Sequence, residues 1–255
     1  MNVAWLEGLR ARADQSPLRP RVPLRLAANA AVIGSVEPAL VAQLVAAGLP
    51  VAAAGDAVDV QGDADAALAR IARWLHDAGL ASRWRDELLA VTDESGRVQA
   101  AVERAAVRPL GITTFAVHLV GRDPAGRWWL QQRALDKATD PGRWDTLMGG
   151  LVADRESLEQ TLERETWEEA GLRLADLEAL REHGALTVRR PVAEGYMVER
   201  MAVYSARVPA HLVPQNQDGE VERFECVDEP ALRERLAADA FTLEAALVLV
   251  RVLGL

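Results

Sequence analysis

Three carboxylates, Glu165, Glu168 and Glu169, fall within five residues at the end of the stretch GLVADRESLEQTLERETWEEAGL, residues 150–172. On a helix, spacings of four, three and four return to nearly the same angle, so Leu158, Leu162, Glu165 and Glu169 share one line. That line begins apolar and ends acidic, and Glu168 stands beside it. Carboxylates crowded on a face whose leading leucines point inward repel one another and raise each other's pKa unless a positive charge sits among them. A hard divalent cation with oxygen ligands, Mg²⁺ or Mn²⁺, answers that need. Such an ion can polarise substrate oxygens and acidify a bound water, which is hydrolytic chemistry.

The elements that must position these groups are legible around them. Ser157 with Gln160 three residues on has the form of a capping box, which starts the helix. Gly171 stands where a left-handed residue ends one, giving about four turns at 3.6 residues per turn. Gly150, Glu156 and Arg164 precede the carboxylates at offsets of six and eight residues. A solvated acidic face is the ordinary reading of a glutamate-rich helix, since Glu is a good helix former and mostly exposed. A turn, an acid and a base at fixed offsets shift the weight toward a built site.

Composition narrows the setting. Half of the 255 residues are apolar, enough to bury a substantial core without staples. The single cysteine, Cys226, rules out an intrachain disulfide, suits a reducing compartment and is expected as a small core residue in a strand. The N-terminal residues, MNVAWLEGLRARAD, suggest an amphipathic helix and not a signal peptide. The most apolar later stretches, 38–54 and 243–255, are interrupted by polar residues or proline and fall short of the ~20 residues that span a membrane. A cytoplasmic protein without a membrane partner is expected. A net charge of −9 argues against nucleic acid, whose phosphates it would repel.

Along the chain, residues 1–108 carry no catalytic signature and read as a small mixed α+β unit. It has helices near 5–9, 38–47 and 63–79, an apolar stretch at 24–33, a strand at 58–60 and a short helix at 101–107. Trp74, Trp84 and His76 are given packing or surface roles. Pro109 and Gly111 mark the boundary to a second unit, 109–255. There, strands at 113–121 and 127–133 flank the turn Asp123-Pro-Ala-Gly126 as a hairpin, and residues 144–151 lead into the carboxylate stretch. Further strands are expected at 185–190, 197–208 and 220–227, then two helices between 230 and 253. His118 is expected as a core or edge histidine without a metal role. The fold class is α+β, strands and helices interleaved around a sheet.

The stretch 150–172 matches every specified residue of the Nudix box: Gly, five residues, Glu, seven residues, Arg-Glu, two residues, Glu-Glu, one residue, Gly. Thr166, where the pattern prefers an aliphatic residue, is the one departure and concerns local packing. The flanks AGLASRWRDELLAV, RPLGITTFAVHLVG, DKATDPGRWDTLMGGL and PQNQDGEVERF resemble Nudix proteins related to the Nudix part of fungal thiamine pyrophosphokinase fusions. Plant chloroplast relatives share an N-terminal domain of unknown function. The resemblance implies a Nudix α/β/α sandwich behind a small α+β domain that acts as substrate lid or homodimer surface. It implies divalent-metal-dependent cleavage of a small-molecule diphosphate, thiamine diphosphate or its oxidised or damaged analogues, to the monophosphate plus phosphate. The family's metal ligands fall on Glu165, Glu168, Glu169 and the carbonyl of Gly150, and Arg164 with Glu156 orients helix and loop.

One carboxylate must accept the proton of the attacking water. Glu165 and Glu169 could serve, and Glu220, outside the helix, is freer to reach it. Arg133 and Lys137, after a strand and ahead of the box, are the candidate phosphate partners. Two alternatives stand: a nucleoside, sugar or isoprenoid diphosphate as substrate, or an inactive ligand-binding Nudix protein. Isopentenyl diphosphate isomerases share this fold but require His and Cys metal ligands that the sequence does not offer in a recognisable pattern.

Overall fold

The structure is a computed structural model that describes residues 3–255. Its centre is a seven-stranded sheet built on β7 (Thr113–Arg122), whose strictly alternating residues face two different helical layers. β12 (Gly195–Arg207) pairs with β7 in parallel, and β11 (Glu178–Val192) extends that edge. On the other side come β8 (Trp128–Arg133) and β13 (Val221–Val227), while the short β9 (Trp144–Asp145) and β10 (Met148–Leu151) pair with β8 and β7. Val117 and Leu119 of β7 pack with Leu162 and Ala170 of α4 (Leu158–Ala170). Ala116 and Val120 pack toward α5 (Glu229–Ala237) and α6 (Leu243–Leu253) on the opposite face. This is the helix, sheet, helix layering that the resemblance implies.

The preceding part has its own core. Strands β1 (Val22–Leu26), β2 (Val32–Val36), β3 (Val51–Ala54) and β4 (Ala57–Val60) form a sheet in the order β2-β1-β4-β3. Helices α2 (Pro38–Ala46) and α3 (Ala64–Asp77) flank it, α3 capped by Asp63, whose carboxylate accepts from the Ala66 amide. Leu24, Leu44, Leu68, Ile71 and Leu110 lie in one buried cluster with the hairpin β5 (Leu88–Thr92) and β6 (Val98–Glu103). Helix α1 (Val3–Ala13) departs from sequence neighbourhood: Leu9 and Ala13 join the second core against α6. Met1 and Asn2, the first residues of the helix expected there, lie outside the described residues.

Two expectations need correction. Residues 101–107 are not a helix: β6 runs to Glu103 and only a 3₁₀ turn, Arg104–Ala106, follows. Cross-strand pairing with β5 outweighs the helix propensity of the alanines there. The apolar stretch 24–33 is the end of β1, a turn with Ala30 at φ 57°, and the start of β2. The remaining expected elements are present, with β11 longer than 185–190. Trp74 and Trp84 pack against the N-terminal core as expected.

Candidate active site

Helix α4 is held at both ends by the local chemistry its sequence specifies. Ser157 Oγ accepts from the Gln160 amide at 3.1 Å, Gln160 Oε1 accepts from the Ser157 amide at 2.8 Å, and Gly171 ends the helix at φ 64°. Between these caps Arg164 is a hub. It donates through Nε and Nη2 to the two oxygens of Glu156 at 2.9 and 2.8 Å, and through Nη1 to Glu165 at 2.8 Å and Glu168 at 2.9 Å. Thr161 Oγ1 also donates to Glu156, at 2.9 Å. The Arg164 hydrogen bonds outweigh partial burial and hold Glu156 below the usual carboxylate range. The same fork ties the loop before the helix to the helix itself, in the geometry that favours arginine over lysine.

The two inward carboxylates feel the opposite pressure. Glu169 is 2% exposed, and its Oε2 accepts from Gln131 Nε2 at 2.9 Å and the Gly149 amide at 3.0 Å. Burial pushes its pKa up to about 8 against the opposing charge of Lys137. Glu165 is pushed up to about 7, by burial first, with Arg164 opposing and the charges of Glu168 and Glu220 adding to the rise. Gly150 lies so close to Glu165 that a Cβ there would run into its carboxyl group, and a Cβ at Gly149 would meet the His118 ring at 2.7 Å. The pair of glycines therefore lets the strand backbone reach the carboxylates and the His118 ring.

A hard divalent cation fits this donor set. The groups are all oxygen donors, two are carboxyls that burial makes costly to ionise without a cation, and a glycine backbone lies against one of them. Among the described residues, no three His, Cys, Asp or Glu side chains stand ready as a metal cage. Glu165 Oε1 and Glu168 Oε2 accept from Arg164, and Glu169 Oε2 from Gln131 and Gly149, which leaves the second oxygen of each carboxylate to serve an ion.

A cleft of about 590 Å³ opens onto this end of α4. It brings together Gly150, Arg164, Glu165, Glu168, Glu220, Arg133 and Lys137. Glu169 sits behind its wall, and Glu156 holds Arg164 from outside. Lys137 Nζ is in direct contact with Glu220 Oε2, so a candidate phosphate partner and a candidate base are paired with each other. Burial alone would raise Glu220. Lys137, with the charges of Arg104 and Arg133, outweighs it and holds the carboxyl below its ordinary value. Arg133 donates to the Thr139 carbonyl at 2.9 Å and lies 3.6 Å from Asp145.

Several cleft residues were missed in the sequence. His118 is a buried histidine on β7, as expected, with its Nδ1 3.2 Å from Thr146 Oγ1, and what was missed is that it also lines the cleft. Glu199 and Glu244 pair with Arg108 at 2.8 Å and Arg190 at 3.3 Å. Arg83, Arg85 and Arg104 come from the part preceding the sheet; the flank AGLASRWRDELLAV holds the first two, but its resemblance assigned neither arginine a role. Cys226 is a half-buried free thiol on β13, away from these groups.

Comparison with known proteins places this geometry. The NUDIX domain family matches residues 113–247. Nudix hydrolase 20, chloroplastic, of Arabidopsis thaliana is 32% identical over 169 residues, covering 65% of this chain and 45% of that protein. The chain thus spans less than half the length of this plant relative. An isopentenyl-diphosphate Delta-isomerase of Leifsonia xyli is 31% identical over 158 residues, covering 60% of this chain and 83% of the isomerase. Among solved structures, DR0079 from Deinococcus radiodurans shares the fold with a TM-score of 0.52 at 24% identity, over 64% of this chain and 97% of that one.

Proposed function

Because the chain belongs to the Nudix domain family, we propose that it is a divalent-metal-dependent hydrolase that cleaves a diphosphate linked to a second group. The observation that carries this reading is the Arg164 hub, which gathers Glu156, Glu165 and Glu168 beside the buried Glu169 at the mouth of one cleft. Glu165, Glu168, Glu169 and the Gly150 carbonyl would hold Mg²⁺ or Mn²⁺. When bound, the ion supplies charge neutralisation at the phosphate oxygens and a lower pKa for water.

The chain's own groups supply the rest. Arg133 and Lys137 orient the phosphates from the cleft wall. Water attacks the terminal phosphorus, the bridging P–O bond breaks, and its electrons leave with the monophosphate. Glu220, ionised and facing the cleft, takes the water's proton. Lys137 keeps Glu220 deprotonated and lowers its basicity in the same contact. Arg164 and Glu156 position the helix and do not touch the reacting atoms.

Thiamine diphosphate, or an oxidised or damaged analogue, is the substrate we favour on the resemblance of the flanking segments. The reading includes a two-unit chain, 1–108 and 109–255, supported by a buried cluster drawn from residues 24–107, which Leu110 and Ile112 join from the second unit. It places the first unit as lid or homodimer surface. It includes a cytoplasmic location and no nucleic-acid or membrane partner, and no described helix is long and apolar enough to cross a membrane.

The isomerase relative favours a second reading, allylic rearrangement of an isoprenoid diphosphate. His118 is the histidine that lines the cleft and Cys226 does not line it, so a mixed His and Cys ligand set is not brought together there and hydrolysis is preferred. The test is incubation of the protein with Mg²⁺ or Mn²⁺ and a panel of thiamine, nucleoside, sugar and isopentenyl diphosphates in ¹⁸O-labelled water, followed by phosphorus NMR. Labelled phosphate from a thiamine diphosphate analogue is expected. Cleavage of a nucleotide derivative alone overturns the thiamine assignment, and isomerised product without phosphate release overturns hydrolysis.

A further inference from the structure

Basic side chains are plentiful around the cleft, and most are already matched. Arg104 faces Glu87 at 2.7 Å, Arg108 faces Glu199 at 2.8 Å, Arg133 faces Asp145 at 3.6 Å and Arg190 faces Glu244 at 3.3 Å. Lys137 contacts Glu220, and Arg164 serves the box. Arg83 and Arg85 also line the cleft, and they alone of its basic lining have no carboxylate partner among the described residues. Two unmatched guanidiniums on one wall of a cleft are notable in a chain of net charge −9, where acids are abundant.

The segment that carries them is held in place by groups that leave both free. Glu103, 3% exposed, spends its carboxylate on the backbone, accepting from the Arg85 amide at 2.9 Å and the Glu87 amide at 3.2 Å. Between the two arginines Trp84 turns inward onto the N-terminal core. Its ring lies 3.9 Å from the Arg73 guanidinium, and its Nε1 donates to Asp86 at 2.6 Å. With Trp84 anchored inward, its exposed neighbours Arg83 and Arg85 are left outward.

Their wall adjoins the carboxylate end of the cleft. Glu87, two residues on, pairs with Arg104, whose charge reaches Glu220. The Leu88 carbonyl accepts from the Asp154 amide at 2.8 Å, joining this segment to the loop that feeds α4. Guanidinium forks match phosphate oxygens in pairs, and unpaired ones are ready to do so without first breaking an ion pair.

We propose that Arg83 and Arg85 form a phosphate-binding wall that holds the terminal phosphate of the diphosphate beside the box. The identity of that anion rests on the hydrolase reading, whereas the binding site does not, and the test separates the two.

The probe is inorganic pyrophosphate, titrated calorimetrically in EDTA so that no turnover contributes. The R83Q/R85Q double variant is expected to bind about tenfold or more weakly than wild type, the scale of one charge-assisted hydrogen bond. The R83K/R85K variant should recover part of the loss, since charge returns without the fork. R19Q, at an exposed arginine outside the cleft, should bind as wild type and serves as the charge control. Both cleft side chains are exposed, so the double variant should keep the wild-type melting temperature. Wild type that fails to bind pyrophosphate, or a double variant within twofold of it, overturns the proposal. A protein that hydrolyses no diphosphate yet loses pyrophosphate binding in R83Q/R85Q retires the hydrolase reading and leaves this site standing.

Discussion

Glu199→Ala tests whether the junction between the two parts of the chain is held electrostatically. Glu199 on β12 is 7% exposed, and its Oε2 accepts from Arg108 Nη2 at 2.8 Å and from Thr114 Oγ1 at 3.0 Å. Arg108 lies just before the sheet begins, its carbonyl accepts from the Tyr196 amide at 3.0 Å, and Gly195 packs against that carbonyl too closely for a Cβ. Truncating Glu199 strands a guanidinium whose side chain is only 19% exposed. Breaking one side of a buried pair costs about 3–5 kcal/mol. For a chain of this size that is a melting-temperature drop of roughly 6–20 °C. Removing both charges in R108M/E199L should cost much less, because no unpaired ion remains.

The pH dependence of the same group follows in sign. Burial would raise Glu199, but the charge and hydrogen bond of Arg108, with the Thr114 hydroxyl, outweigh it and leave the folded carboxyl below its ordinary value. Its stabilisation is therefore complete above the ordinary carboxyl pKa of 4.5 and is lost as pH falls through the lower folded value. Scanning calorimetry of wild type, E199A, E199Q and the double variant between pH 3 and 7 measures all of this, with E199Q flattening the acid limb. An E199A loss below about 1 kcal/mol, or a double variant worse than E199A, would refute the electrostatic account.

Three further outcomes follow. Glu169 is raised to about 8, so its contribution to stability is fully present below 4.5 and is lost as pH rises through about 8. In EDTA, E169Q should then gain on wild type in melting temperature toward pH 9, whereas added Mg²⁺ should stabilise wild type and not the variant. K137Q removes the charge that lowers Glu220, so the acid limb of kcat/KM should move to higher pH, and an unmoved limb argues against Glu220 as the base. Thr166 is fully buried with a hydroxyl that lacks a hydrogen-bond partner among the described residues, so T166V should stabilise the protein by about 1 kcal/mol in urea unfolding.

Those predictions divide along the line between what was legible in the sequence and what was not. The helix, its caps and the Arg164 fork involve partners within about eight residues, and local spacing reports them directly. The Thr166 departure was legible as a matter of local packing, whereas the buried hydroxyl without a partner was visible only in the fold. Glu169 was legible as a carboxylate on the inward line of the helix, and it is buried, but its partners Gln131 and Gly149 come from β8 and β10, so its hydrogen bonds were not. The β5–β6 hairpin was passed over for a different reason. Its period-two burial at Ala100 and Val102 runs through alanines that also favour helix, and the decisive turn, in which Asp93 accepts from the Ser95 and Arg97 amides, lies upstream of residues 101–107.

The arginines of the cleft mark a firmer boundary. Arg83, Arg85, Arg104 and Arg108 look alike in a chain rich in arginine, and nothing in residue type or spacing says which will be neutralised. That sorting depends on where Glu87 and Glu199 arrive, from the neighbouring hairpin and from β12, which is a property of topology. An anion site made of unspent cations is therefore defined by partners that are missing, and a motif can specify only residues that are present. The box announces itself because its function and its internal pairing reside in the same residues. On the adjoining wall the pairing lies elsewhere in the chain, and the two arginines left over became visible only once the fold had assigned the others.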